Sequence, residues 1–225
     1  MALQNDVLGE TVETETAATR KQRYRPAETR ERILAASRTL FAQHGYLNTS
    51  TQEIAGEADV AEGSIFYHFG SKKNLLAALG VSFAQEMVVA MRGGSDDLSD
   101  LEPGVTIARA FQFVEDHGFS ERLLGLSFDS PEVQPFMIAS REVVVSFISQ
   151  CYAATMPENI RCGLDIDMAA SMAFAAVCDA LCLLQAAPDE KAKAHILEHT
   201  TGFVRQALGY PHNWPQKACG RGRKR

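Results

Sequence analysis

Apolar residues recur along this chain with helical spacing almost from end to end, and no stretch alternates as a strand would. The first run follows Pro26, a residue suited to the first turn of a helix. It places Ile33, Ser37, Leu40, Phe41 and His44 on one face until Gly45 ends it. Ser50 to Glu53 then reads S-T-Q-E, a capping box in which serine and glutamate each satisfy the other's backbone N–H. That predicts a short helix over Thr51 to Ala58, with Ile54, Ala55 and Ala58 inward. After a tight turn at Asp59-Val60, a second short helix is expected from Ala61 to Phe66 or Tyr67, and Phe69 rather than Phe66 is taken as core. Gly70-Ser71 opens a long helix with Leu75, Leu76, Leu79, Phe83, Met87 and Met91 on one side, and Gly93-Gly94 closes it. Five more helices are expected, at about 103–116, 120–127, 132–155, 166–186 and 189–208, with Pro131, Pro157 and Pro188 at boundaries and Asp165 as an N-cap. The fold class is all-α.

Two short helices joined by a tight turn behind a bracing first helix make a helix-turn-helix, a device that projects the second helix into a DNA major groove. The chain accordingly divides into a disordered tail (1–22), a helix-turn-helix domain (23–71), a second helical domain (72–210) and a basic tail (211–225).

Charge sharpens this division. The formal net charge is −6, which taken as uniform would argue against nucleic acid. Residues 20–80 nevertheless hold nine Lys/Arg against six Asp/Glu, while 81–216 hold eight against eighteen and 217–225 add five basic residues. A basic N-terminal module rides on an acidic body. The acidic, threonine-rich start lacks the basic and apolar parts of a secretion signal. The five scattered cysteines fit free thiols in a reducing cytoplasm. Met168 to Ala187 is long and apolar enough to suggest a membrane span, but Asp179 sits mid-helix, both flanks are acidic and Lys/Arg anchors are missing. A buried helix of a soluble protein is the expectation.

From Ile33 to Leu75 the chain resembles the tetracycline-repressor (TetR) family. The likeness lies in the first-helix ending L-F-x-x-x-G-Y, the entry T-S-x-x-E-I-A and the exit F-Y-H-F-x-S-K-x-x-L, in order and without a gap. The resemblance implies a homodimer binding a palindromic operator, most often as a repressor released by a small-molecule effector, and it implies roles by position. Ser50 and Thr51 would offer hydroxyl and backbone donors to phosphate. Glu62, Gly63 and Ser64 would face base edges at the start of the recognition helix. Phe66 and Tyr67 would meet thymine methyls or sugar, with the Tyr67 hydroxyl and His68 reaching phosphate. Lys72 and Arg30 would pair with phosphates, and Arg20, Lys21, Arg23 and Arg25 could form an arm along the backbone or minor groove. Three residues depart from the family pattern: Asp59 for the usual turn glycine, Ala61 for a Ser/Thr cap, and Glu62 for a neutral or basic side chain. Glu62 would either accept from cytosine N4 or cap its helix.

The resemblance further implies that 72–210 is a helical ligand-sensing and dimerising domain, whose two last long helices would pair with their copies into a four-helix bundle. The alanines between Ala169 and Ala176 keep one helix thin, and Ile196, Phe203, Val204, Ala207 and Leu208 stripe the other. Met87, Met91, Phe111, Phe147, Cys151, Met172 and Asp179 are the candidate effector contacts, the effector being largely apolar. Asp179, a carboxylate in an apolar helix, needs a partner, across the dimer or on a ligand. No cofactor is called for. The alternative reading is a helical metal- or redox-responsive protein or enzyme, built on Cys178, Cys182, His195 and His199, whose C-x3-C-x12-H-x3-H spacing satisfies a zinc pattern. Within it, His195, Glu198 and His199 also match H-x-x-E-H.

Overall fold

The computed structural model describes residues 26–117, 130–156 and 158–210. The predicted arm at 20–25, the helix expected at 120–127 and the basic tail lie outside them. Among the described residues every regular element is helical: α1 (Pro26–His44), α2 (Thr51–Glu57), α3 (Glu62–Phe69), α4 (Lys72–Arg92), α5 (Pro103–His117), α6 (Gln134–Thr155), α7 (Glu158–Arg161), α8 (Ile166–Gln185) and α9 (Glu190–Ala207). Short 3-10 turns at Leu98–Asp100 and Pro131–Val133 precede α5 and α6. These turns and α7, four residues long, are too short to carry a periodic apolar signal. The recognition helix runs to Phe69 rather than Phe66 or Tyr67, because the chain leaves the helical region only at Gly70, whose φ of 77° is open to glycine.

Contacts divide the chain into two units, Met1–Leu75 and Leu76–Arg225, so the division falls inside α4 rather than at its start. In the first unit Ile33, Phe41, Ile54, Ile65 and Leu75 are wholly buried, each on the face that its helical spacing predicts. Thr49 is buried beside them, and its hydroxyl donates to the Gly45 carbonyl at 2.9 Å. Ser37 meets the burial cost of its hydroxyl by donating to the Ile33 carbonyl at 2.6 Å.

In the second unit Phe83, Phe113 and Phe136 form an aromatic cluster, with ring centroids 5.2 and 5.6 Å from Phe83. Helix α4 meets the start of α6 so closely that a Cβ on Gly80 would run into the Phe136 backbone. The C-terminus of α4 is covered by Arg109, which donates to the Met91 and Arg92 carbonyls at 2.9 and 2.8 Å, a cation placed at the negative end of a helix. A near-buried pair, Arg205 to Glu102 at 3.0 Å, ties α9 to the start of α5, and Lys193 reaches Glu115 at 2.9 Å. Helices α4 and α8 are both long and apolar enough to cross a membrane by length and composition. One side of α8 packs into the unit through Ala169, Ala170, Ala173, Ala180, Leu181 and Leu184. Its other side is exposed and carries Asp179.

Candidate nucleic-acid interface and helical cavity

The first site is the outer face of α3. Ile65 and Phe69 anchor the helix inward, and this leaves Glu62, Gly63, Phe66 and Tyr67 outward, the last two 48% and 71% exposed. Large aromatics held out by a buried scaffold are unusual for a surface of this size and mark a contact surface. The turn before α3 is made as expected, with Asp59 at φ 50°. Ala61 stands at the N-cap without a side-chain bond, so the first N–H groups of α3 are left open.

The capping box of α2 is complete. The Ser50 backbone N–H donates to Glu53 at 2.7 Å, the Glu53 N–H donates to the Ser50 hydroxyl at 3.1 Å, and the hydroxyl itself donates to the Glu53 carboxylate at 2.8 Å. Those donors hold the Glu53 carboxyl below its ordinary range, the backbone N–H contributing most. This corrects one expectation, since the Ser50 hydroxyl and N–H already have an acceptor and are not spare phosphate donors. The Thr51 hydroxyl is similarly engaged, donating to Glu62 at 2.6 Å. That bond ties the start of α2 to the start of α3 and fixes the Glu62 carboxylate at the N-terminal edge of the exposed face. Sequence spacing gave no sign of it, because the partners lie eleven residues apart across a turn. What α2 still offers an anion is the backbone N–H of Thr51 and Gln52, which have no carbonyl within the helix.

Lys72, in the first turn of α4, donates to the Tyr46 carbonyl and stands 4.3 Å over the Tyr46 ring. Partial burial draws its pKa down and Glu53 draws it up. An ammonium has three donors, so two remain for a phosphate. Arg30 lies 5.3 Å over the Phe69 ring, and its ion pair with Glu31 is exposed. Ser64 and His68 are half-buried and flank an open groove that Pro26, Arg32, Gly56 and Tyr67 also line.

The second site is a cavity of about 50 Å³ within the C-terminal unit, walled by α4, α5, α6 and α8. Of the predicted effector contacts, Met87, Met91, Phe147 and Cys151 line it. Three do not. Phe111 is buried elsewhere in the core, and Met172 and Asp179 are exposed on the opposite face of α8. The alanine-rich stretch packs on one side only within the chain, and the residues on its other side were mistaken for cavity lining. Among the wall residues missing from the sequence-based set are Tyr152, which follows Cys151 on α6, and Cys178. Burial pushes the Cys151 thiol up to about 11 against the pull of Arg92, and pushes Cys178 up to about 12.

The cysteine–histidine cluster is not assembled. Cys178 faces the cavity and Cys182 is exposed, while His195 and His199 lie together on the exposed face of α9 with ring centroids 4.1 Å apart. Among the described residues no three His, Cys, Asp or Glu side chains converge on one point as metal ligands would.

Residues 33–79, which run from mid-α1 into α4, match the model of bacterial regulatory proteins of the tetR family. The helix-turn-helix segment is similar to that of the tetR family. Its matches to the HTH-type transcriptional repressor AcnR of Corynebacterium glutamicum (34% identical over 82 residues, 32% of this chain and 44% of that protein) and the HTH-type transcriptional regulator AcrR of Shigella flexneri (40% over 60 residues, 27% and 28%) cover less than half of either relative. A tetR-family regulator structure from Shewanella sp. PV-4 shares the fold over 80% of this chain and 97% of that one, at 24% identity and a TM-score of 0.57. The tetR-family match thus covers the whole exposed face of α3 together with the helices that brace it.

Proposed function

We propose that this chain is a cytoplasmic transcriptional regulator that binds a palindromic operator as a homodimer and is released from it by a small-molecule effector. One observation carries the reading: within the segment matching the tetR family, α3 is braced from inside by Ile65 and Phe69 and presents Glu62, Gly63, Phe66 and Tyr67 outward. Those residues read the major groove. Lys72, Arg30, His68 and the first-turn N–H groups of α2 hold the phosphates. We read the chain as a binding protein rather than an enzyme, in keeping with the regulators it is similar to.

The dimer forms through α8 and α9. Met168, Met172 and Leu183 on α8 and Phe203 on α9 are each more than half exposed, and the α8 residues recur with helical spacing on one face. A second copy packing there buries an apolar surface that a lone chain leaves in water. Asp179 lies on the same face, so its partner is sought across the two-fold axis. The cavity is the effector site.

Selection of bound duplexes from a random pool tests the reading. An enriched inverted repeat is expected with purified, effector-free protein. A folded dimer that enriches no sequence, before and after refolding without small molecules, would sink it.

A further inference from the structure

The cavity is lined almost wholly by carbon and sulfur, and among the described residues no charged side chain contributes to its wall. Its hydroxyl groups differ in what they have left to offer. Thr106 donates to the Pro103 carbonyl at 3.1 Å and Ser140 to the Met137 carbonyl at 3.1 Å, both bonds being within their own helices. Tyr152 is different: it lines the cavity, and among the described residues no hydrogen bond engages its hydroxyl. A hydroxyl in an apolar wall can take a ligand's polar group as its partner, a bond worth roughly 3–10-fold in affinity.

We propose that the cavity takes an uncharged, largely apolar molecule bearing a single hydrogen-bonding group, and that this group pairs with the Tyr152 hydroxyl. The assignment deepens the effector reading and rests on it. The two cysteines in the wall report how the cavity treats charge. Cys151 stays protonated two units above the ordinary thiol value, 9.0 against about 11, although the Arg92 guanidinium acts on it, and Cys178 stands about three above. Arg92 itself is packed over the Phe147 ring at 5.4 Å and is not part of the wall. An anion placed there meets the same desolvation and is disfavoured. Size sets the other limit. A volume of about 50 Å³ is small beside the ~300–1,000 Å³ of drug-sized sites, so the ligand is compact or the methionine side chains of the wall yield to it.

Three probes of one ring each separate these features in calorimetry on the full, operator-free chain: toluene, phenol and benzoate. Phenol is expected to bind roughly 3–10-fold tighter than toluene, the worth of one ordinary hydrogen bond. Benzoate, which would carry a charge into an apolar wall, is expected to bind at least about tenfold weaker than phenol. In Tyr152→Phe, phenol falls to the level of toluene while toluene is unchanged, which also shows that the variant keeps its cavity. Benzoate binding as well as phenol, phenol no tighter than toluene, equal weakening of both by Tyr152→Phe, or saturable binding by none of the three would each overturn the proposal. These measurements contain no DNA, so their failure leaves the operator result standing, and a failed operator selection leaves them interpretable.

Discussion

Two glycines in helices should respond to the same substitution in opposite ways. Glycine in a helix interior is about 0.8–1.0 kcal/mol worse than alanine, so Gly→Ala stabilises wherever the added methyl meets nothing. Gly63 is such a place, since a Cβ there has no neighbour within 4 Å. Gly80 is not. Its Cβ would stand 3.0 Å from the carbonyl carbon and Cα of Phe136, and closer still to the oxygen. Carbon pairs settle near ~3.5–4.0 Å, so α4 and α6 must part by roughly half an ångström or more, and overpacking of this kind costs about 1–3 kcal/mol. For Gly80→Ala the clash exceeds the helical gain and leaves a net loss of roughly 1 kcal/mol, or about 2–4 °C for a chain of this length. For Gly63→Ala the gain stands nearly alone, reduced because the site is close to the helix N-terminus, and Tm holds or rises by ~1–3 °C. DNA affinity should run the other way. The new methyl of Gly63→Ala enters the space between α3 and the base edges and weakens binding to the selected duplex about 10–100-fold, the ~1–3 kcal/mol of one base-level contact. Calorimetric melting and fluorescence anisotropy on the purified variants measure both quantities. A Gly80→Ala protein that is stabilised, or a Gly63→Ala protein that binds DNA like wild type, would refute the reasoning at that glycine.

Lys72→Met should weaken operator binding and lower the slope of log K against log salt by about 0.9 for each phosphate left without its cation; an unchanged slope would mean that Lys72 serves only to hold Tyr46. Ser50→Ala removes the N-cap of α2 and should destabilise the chain by about 0.5–2 kcal/mol in denaturant titration, with no loss expected if the box were dispensable. Only thiolates alkylate readily, so with iodoacetamide at pH 8 exposed Cys162 should react well before Cys151 and Cys178, and the latter two should quicken about tenfold per unit up to pH ~10. Exposed Cys182 lies toward the proposed dimer face of α8, so its labelling should slow as protein concentration rises; a rate independent of concentration would count against that interface.

The N-terminal unit was legible because its signals are local. A capping box, a glycine stop and apolar residues three and four apart each report on one turn of one helix, and Ile54 and Phe69 are buried where they were expected. The sequence was misleading where meaning depends on which of two apolar faces turns inward. On α8, Ala173 and Leu181 face the interior while Met172 and Leu183 face out, and composition cannot distinguish them because both faces are apolar. The same ambiguity put Met172 among the expected cavity contacts and hid Cys178 in the wall of the cavity. The Thr51–Glu62 bond and the place of Tyr152 in the cavity wall depend on side-chain direction across elements, which periodicity does not carry.

The most direct test of the claim that α3 reads DNA is the affinity of Tyr67→Ala for the selected duplex at a fixed, near-physiological salt concentration, with melting recorded on the same sample. Tyr67 is 71% exposed and outside the core, so Tm should stay within about 2 °C of wild type while affinity falls roughly tenfold or more. Wild-type affinity in a folded Tyr67→Ala protein would contradict the account.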